Sequence, residues 1–182
     1  IIEEPDYDDA QNIKQSLKTL LSSTTTTFDL LENLLLWAKS QQNEVVFVPT
    51  TVNLYQIAEI SIAIVAEIAK SKAITIYNQI PKKQTTHADR NMIMTVIRNL
   101  ITNAIKFTES GKSVYLSSAE DKFALTISVK DEGVGIAPDV LKVLFNPKEN
   151  YSTIGTSGEK GTGLGLLLCK DFIERHNGKI WV

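Results

Sequence analysis

From residue 11 to residue 42 the chain has neither glycine nor proline, and Ile13, Leu17, Leu20, Thr24, Thr27, Leu31, Leu34 and Ala38 recur there at alternating spacings of four and three. That is a heptad seam. Leu21, Phe28 and Leu35 widen it along one side, which suits a helical bundle better than a two-stranded coil. A lone surface helix packed on its own domain carries a similar stripe. Length favours the bundle: roughly thirty uninterrupted residues at about 1.5 Å each make a rod of about 45 Å, longer than the remaining domain is wide. The spacing therefore predicts a helix that projects and pairs with another helix. Thr24, Thr25, Thr26 and Thr27 put four β-branched residues inside it, which helix propensity does not account for.

At 182 residues, with 43% hydrophobic and 22% charged positions, there is room for one ordinary domain beside this helix. The composition shifts near Glu44, which divides the chain into 1–44 and 45–182. A net charge of −2 and scattered lysines argue against a nucleic-acid binder. The one cysteine, Cys169, excludes an internal disulfide, points to a reducing compartment and falls on an apolar helix face, so it is expected in the core. No apolar run reaches about 18 residues and the acidic start is no signal peptide, so no membrane contact is expected of this stretch. Both ends read as cut: Ile1-Ile2-Glu3 lacks a methionine, and 179–182 breaks off within an apparent last strand, so the chain is taken as a fragment.

Beyond the long helix, Val45-Val46-Phe47-Val48-Pro49 reads as a short strand stopped by proline, and Asn53 as the N-cap of a helix whose apolar face is Leu54, Ile57, Ile60, Ile64, Val65 and Ile68. Residues 74–78 and 85–88 read as strands, with Asp89 capping a helix over 91–108; residues 113–118 and 123–130 read as a hairpin. This order predicts an α+β fold, a two-layer sandwich of a mixed, mostly antiparallel sheet and three helices, preceded by the long bundle-forming helix.

Three motifs carry chemistry. On the 91–108 helix, Asn99, Asn103 and Lys106 fall at i, i+4 and i+7, beside the buried face. Asparagine oxygens are hard, neutral ligands that suit Mg²⁺ when phosphates supply the charge, and a lysine complements a phosphate; a merely solvated face with two asparagines fits the pattern equally well. Asp131-Glu132-Gly133-Val134-Gly135-Ile136 follows a strand, placing a carboxylate able to accept from an exocyclic amine beside two glycines, although Asp-Glu-Gly also makes an ordinary turn. Finally, Gly158, Gly161, Gly163 and Gly165 open a helix within eight residues. A helix start offers unpaired N–H groups and partial positive charge, and omitted side chains let an anion reach them. The spacing is neither the dinucleotide fingerprint nor a P-loop, whose lysine follows its glycines where Lys160 precedes these.

In these residues the chain resembles sensor histidine kinases of the GHKL superfamily over about residues 45–182. Asn99 to Thr108 resembles the N box, 131–136 the first glycine box, Leu144-Phe145-Asn146-Pro147 the F box, and Gly161-Thr162-Gly163-Leu164-Gly165 the second glycine box. The N-terminal helix resembles the second helix of the dimerisation and phosphotransfer hairpin.

The resemblance implies a Bergerat-type fold binding ATP with Mg²⁺. Asn103 would coordinate the metal with help from Asn99, Lys106 would touch phosphate, and Asn99 and Lys106 would be the catalytic residues. Phe107 would lie along the nucleotide, with Ile136 and Phe145 also bordering it. Asp131 would hold the adenine amine, and Gly133 and Gly135 would let the purine approach the backbone. Lys160, Gly161, Thr162, Gly163, Leu164 and Gly165 would wrap the triphosphate, with 146–160 as a mobile ATP lid. It further implies a homodimer through the N-terminal helix, a response-regulator receiver domain as partner, and the cytoplasmic part of a membrane-bound sensor.

The chain departs from the family pattern in lacking a phosphoacceptor histidine followed by Glu or Asp. Its two histidines, His87 and His176, read as structural, His176 at a helix end where an imidazolium would suit the dipole. The acceptor is expected upstream of Ile1. Lys148 stands where the F box commonly has a second aromatic. A GHKL ATPase of the gyrase, mismatch-repair or chaperone type is the alternative, but those activate water with a glutamate where this chain has Asn99, and an amide cannot take that proton. A non-catalytic nucleotide-binding or dimerisation module is the third reading.

Overall fold

A computed structural model describes residues 7–42, 44–146, 153–159, 161 and 163–182. The first helix, α1 (Tyr7–Gln41), runs unbroken for 35 residues. Thr24 and Thr27 donate their hydroxyls to the carbonyls of Leu20 and Ser23, at 2.8 and 2.9 Å, which lets these threonines sit mid-helix without unpaired polar groups. Ile13, Leu17, Leu20, Phe28, Leu31, Leu34 and Leu35 are all exposed.

The domain then runs β1 (Thr50–Asn53), α2 (Leu54–Ser71), β2 (Thr75–Asn78), β3 (Thr85–Ala88), α3 (Arg90–Phe107), β4 (Ser113–Glu120), β5 (Leu125–Asp131), α4 (Pro138–Val143) and α5 (Gly165–Arg175). The sheet layer comes in two parts. β1 pairs antiparallel with β3, while β4 lies between β2, to which it is parallel, and β5, to which it is antiparallel with Val114 opposite Asp131.

Helix α3 is the centre of the core because its apolar residues cover two faces. Ile93, Ile97, Ile101 and Ile105 join Leu54, Ile57 and Ala58 of α2 and Val114 and Leu116 of β4; Met92 and Val96 join Leu168, Cys169 and Phe172 of α5. Its remaining side carries the polar stripe. Cys169 is in the core as expected, and desolvation pushes its thiol up to about 12.

Both expected caps form. Asn53 accepts from the Gln56 N–H at 3.0 Å, and Asp89 accepts from Asn91 and Met92 at 3.0 and 3.1 Å. The Val45 to Pro49 segment, however, forms no strand; β1 begins just after the proline. Side chains take its backbone groups instead: the Val48 N–H goes to Asp89 at 2.9 Å, and the Val45 carbonyl accepts from Arg175 at 3.1 Å. Residues 179–182 likewise form no strand, and Ile180 packs against the Phe172 cluster.

Arg175 and Asp171 tie the end of α1 to α5. The Arg175 guanidinium donates to the Ser40 carbonyl at 2.6 Å and to Asp171 at 3.1 Å, and the Ser40 hydroxyl donates to Asp171. His176 corrects the imidazolium expectation. Its Nε2 accepts from the Asp89 N–H at 2.9 Å and its Nδ1 lies 2.6 Å from the Phe172 carbonyl, so the ring is a neutral strut protonated at Nδ1. His87 is an exposed residue of β3.

Candidate active site

The stripe on α3 is held in place by the two buried faces beside it, which leaves Asn99, Asn103, Lys106 and Phe107 half-buried on the third side. The Asn99 amide donates to the Thr95 carbonyl at 3.1 Å, which turns its Oδ1 toward the start of α5. There, a Cβ on Gly165 would lie 2.9 Å from that oxygen. Glycine is what lets α5 begin against the asparagine.

Leu164 flanks α5 at its N-terminus with no side-chain cap hydrogen bond of its own among the described residues, and Gly163 has φ +73°. The helix therefore presents N–H groups and the positive end of its dipole beside the α3 stripe. Gly161 and Leu164 belong to the same approach, whereas Lys160 and Thr162 lie outside the described residues.

The first glycine box meets the other end of the stripe. A Cβ on Gly133 would lie 2.5 Å from the Phe107 carbonyl oxygen and 2.5 Å from Asp131 Oδ1. The Gly133 N–H donates to that carboxylate at 2.8 Å, and the Val134 N–H to Phe107 at 3.2 Å. Gly133 thus serves the packing of this turn on α3. Gly135 differs: at φ +72° a Cβ would meet nothing within 4 Å, so the space beyond it is open. Asp131 and Ile136 are exposed at the rim.

Lys106 is partly desolvated. Its ammonium lies 4.7 Å from the Phe107 ring centre and donates to the Thr153 carbonyl at 2.5 Å. Burial lowers its pKa, and Glu159 partly offsets that. An ammonium short of water favours an incoming anion. Phe145 is half-buried, and its carbonyl accepts from the Lys170 ammonium of α5 at 3.5 Å, so Phe145 sits against the same helix. Pro138 at the first turn starts α4, which the sequence reading did not foresee.

Of the expected lid, residues 147–152 and 160 lie outside the described residues; residues 153–159 are seated on the last turn of α3. The Thr156 N–H donates to the Lys106 carbonyl at 3.0 Å and its hydroxyl to the Thr108 carbonyl at 2.9 Å. Lys72 and Glu159 also meet there, at 2.8 Å. Sequence reading missed both, since 87 residues separate them.

The residues fit a magnesium nucleotide. Two carboxamides and an ammonium line one helix face, the start of α5 faces Asn99, and a rim carboxylate stands at the other end.

A family model described as histidine kinase-, DNA gyrase B-, and HSP90-like ATPase matches residues 88–182. The autoinducer 2 sensor kinase/phosphatase LuxQ of Vibrio vulnificus (strain CMCP6) is 31% identical over 182 residues, covering 96% of this chain and 21% of LuxQ, so the chain spans about a fifth of that relative's length. The solved, nucleotide-free catalytic domain of histidine kinase ThkA matches at 27% identity with a TM-score of 0.64, over 74% of this chain and 86% of that one. ThkA in complex with the response regulator protein TrrA matches over 99% of this chain and 48% of that one, with a TM-score of 0.72 at 21% identity, a likeness of fold. Among the described residues no helix is long and apolar enough to cross a membrane. The family match covers the stripe and both glycine boxes, and with the kinase relatives it shows that the chain belongs to the histidine kinase-, DNA gyrase B- and HSP90-like ATPase family, as a catalytic domain of the sensor histidine kinase kind.

Proposed function

We propose that the chain is the ATP-binding catalytic region of a sensor histidine kinase, which passes the γ-phosphate of ATP to a histidine for relay to a response-regulator aspartate. The observation that carries this is the convergence on α3: the start of α5 at Asn99 and the first glycine box at Phe107 bracket Asn103 and Lys106. In this reading Asn103 and Asn99 hold Mg²⁺ through their carboxamide oxygens, and the metal supplies charge neutralisation on the phosphates. Lys106 balances phosphate charge, the N–H groups from Gly161, Gly163, Leu164 and Gly165 cradle the triphosphate, and Lys160 and Thr162 join them. Phe107, Ile136 and Phe145 border the base, and Asp131 accepts from the adenine amine.

Asn99 distinguishes transfer from hydrolysis. A carboxamide cannot act as a general base, so nothing at that position activates water, and the phosphate goes to a nucleophile that brings its own reactivity. Residues 1–44 then belong to the dimerisation and phosphotransfer hairpin and 45–182 to the catalytic domain. A response regulator is the downstream partner, a role supported by the likeness to ThkA bound to TrrA. The protein would act on the cytoplasmic side of a membrane sensor.

The test is transfer of radiolabelled γ-phosphate with and without a histidine-bearing hairpin from a related kinase. The expected product is an acid-labile phosphohistidine on the hairpin, with very slow ATP turnover by the chain alone. Rapid turnover by the chain alone would favour the ATPase alternative, and acid-stable label would overturn the histidine assignment.

A further inference from the structure

Lys72 flanks the C-terminus of α2 with only 8% of its surface exposed, which is costly for a charge unless it is fully bonded. Its ammonium reaches four acceptors: the Ile105 and Lys106 carbonyls at 2.8 and 3.2 Å, the Thr156 hydroxyl at 2.8 Å, and Glu159 Oε1 at 2.8 Å. The first two are carbonyls that α3 leaves open at its end, where a cation also suits the dipole. The other two belong to residues 153–159.

That segment is shaped to receive the contact. Glu159 accepts from the Ser157 N–H at 2.8 Å through its second oxygen, and its carbonyl accepts from Gly155 at 2.8 Å, closing a tight turn. A Cβ on Gly155 would lie 2.5 Å from Lys106 Cγ and 2.8 Å from the Lys106 carbonyl oxygen, so the turn rests directly on the residue expected to meet phosphate. One buried ammonium therefore joins α2, the end of α3 and the turn that leads to Gly161.

We propose that Lys72 is a positioning residue of the nucleotide site: by gripping Thr156 and Glu159 it pins residues 153–159 across the last turn of α3 and sets where Lys106 and the following glycines meet a triphosphate. This rests on the nucleotide-site reading above. Lys72 touches no nucleotide in this account. It acts through the turn, and Glu159 is its counterpart.

Two measurements on the whole chain test this with Lys72→Met, Glu159→Gln and the double variant. The first is hydrogen exchange of the nucleotide-free protein: the amides of Gly155, Thr156, Ser157 and Gly158 should exchange about tenfold faster in each variant, with β4 and β5 unchanged. The second is calorimetric binding of Mg·ATP: each single variant should weaken it about tenfold, and the double variant no more than the worse single one, since both remove one contact. Unchanged exchange in 153–158 overturns the pin. Faster exchange with unchanged affinity, or fully additive losses, overturns the positioning role. Absence of Mg·ATP binding by the unaltered chain would remove the site reading and this role with it, while the exchange measurement still reports on the pin. Glu159→Gln, at a residue with a third of its side chain exposed, keeps the test independent of whether Lys72→Met folds.

Discussion

Gly133 and Phe107 approach so closely that a single added methyl would lie 2.5 Å from the Phe107 carbonyl oxygen, a backbone atom that cannot swing aside. The turn after β5 and the last turn of α3 are joined at that point, where the Gly133 N–H bonds the rim carboxylate and the Val134 N–H bonds the Phe107 carbonyl. Gly133→Ala should therefore destabilise the domain by about 1–3 kcal/mol in urea unfolding, the usual cost of overpacking. Gly135→Ala meets no neighbour and should cost about 1 kcal/mol for its positive φ alone. Equal stability of Gly133→Ala and the unaltered protein would show that the two turns are not locked together.

Asp131→Asn should erase the preference for ATP over GTP. The carboxylate only accepts, which matches an exocyclic amine, whereas an amide can turn its donor to a carbonyl. Competition binding of the two nucleotides checks this. An undiminished preference would take Asp131 out of base recognition.

Local signals were legible and distant ones were not. Asn53 and Asp89 could be read as caps because the groups they bond lie two or three residues away, and the glycine boxes because glycine clusters have few other uses. The α3 stripe showed through its spacing. The 45–49 segment has strand composition, yet Arg175 and Asp89, remote in sequence, take its backbone groups. Lys72 gave no sign of its role, since a lysine near a helix end is ordinary until Glu159 is brought to it. The same holds for His176, whose protonation is set by the Asp89 N–H.

Asp89 gives the fold an acid limit. Burial opposes its charge, but the N–H groups of Val48, Met92 and Asn91 outweigh that and hold its carboxyl below the usual range. A depressed folded pKa contributes stability above the unfolded value, about 4, and that stability is lost as pH falls through the folded value. Asp89→Asn should be less stable than the unaltered chain at pH 7, with the gap narrowing below about pH 4. A gap that stays constant across that window would mean the charge contributes nothing.

The exposed stripe of α1 should drive association. Leu17→Glu with Leu31→Glu, both exposed, should leave the unfolding midpoint of the domain unchanged and lower the average mass seen by light scattering. Identical masses at high concentration would remove the bundle from the account.

In the proposed function the α3 stripe binds a nucleotide through a metal. Calorimetric titration of the unaltered chain and of Asn103→Ala, each with Mg·ATP and with ATP in chelator, separates the metal's part in binding from the nucleotide's. Asn103→Ala should weaken Mg·ATP by at least about tenfold, roughly 1.4 kcal/mol, and leave metal-free ATP nearly unchanged. Equal losses for both forms, or no binding of Mg·ATP by the unaltered chain, would rule the metal-ligand role out.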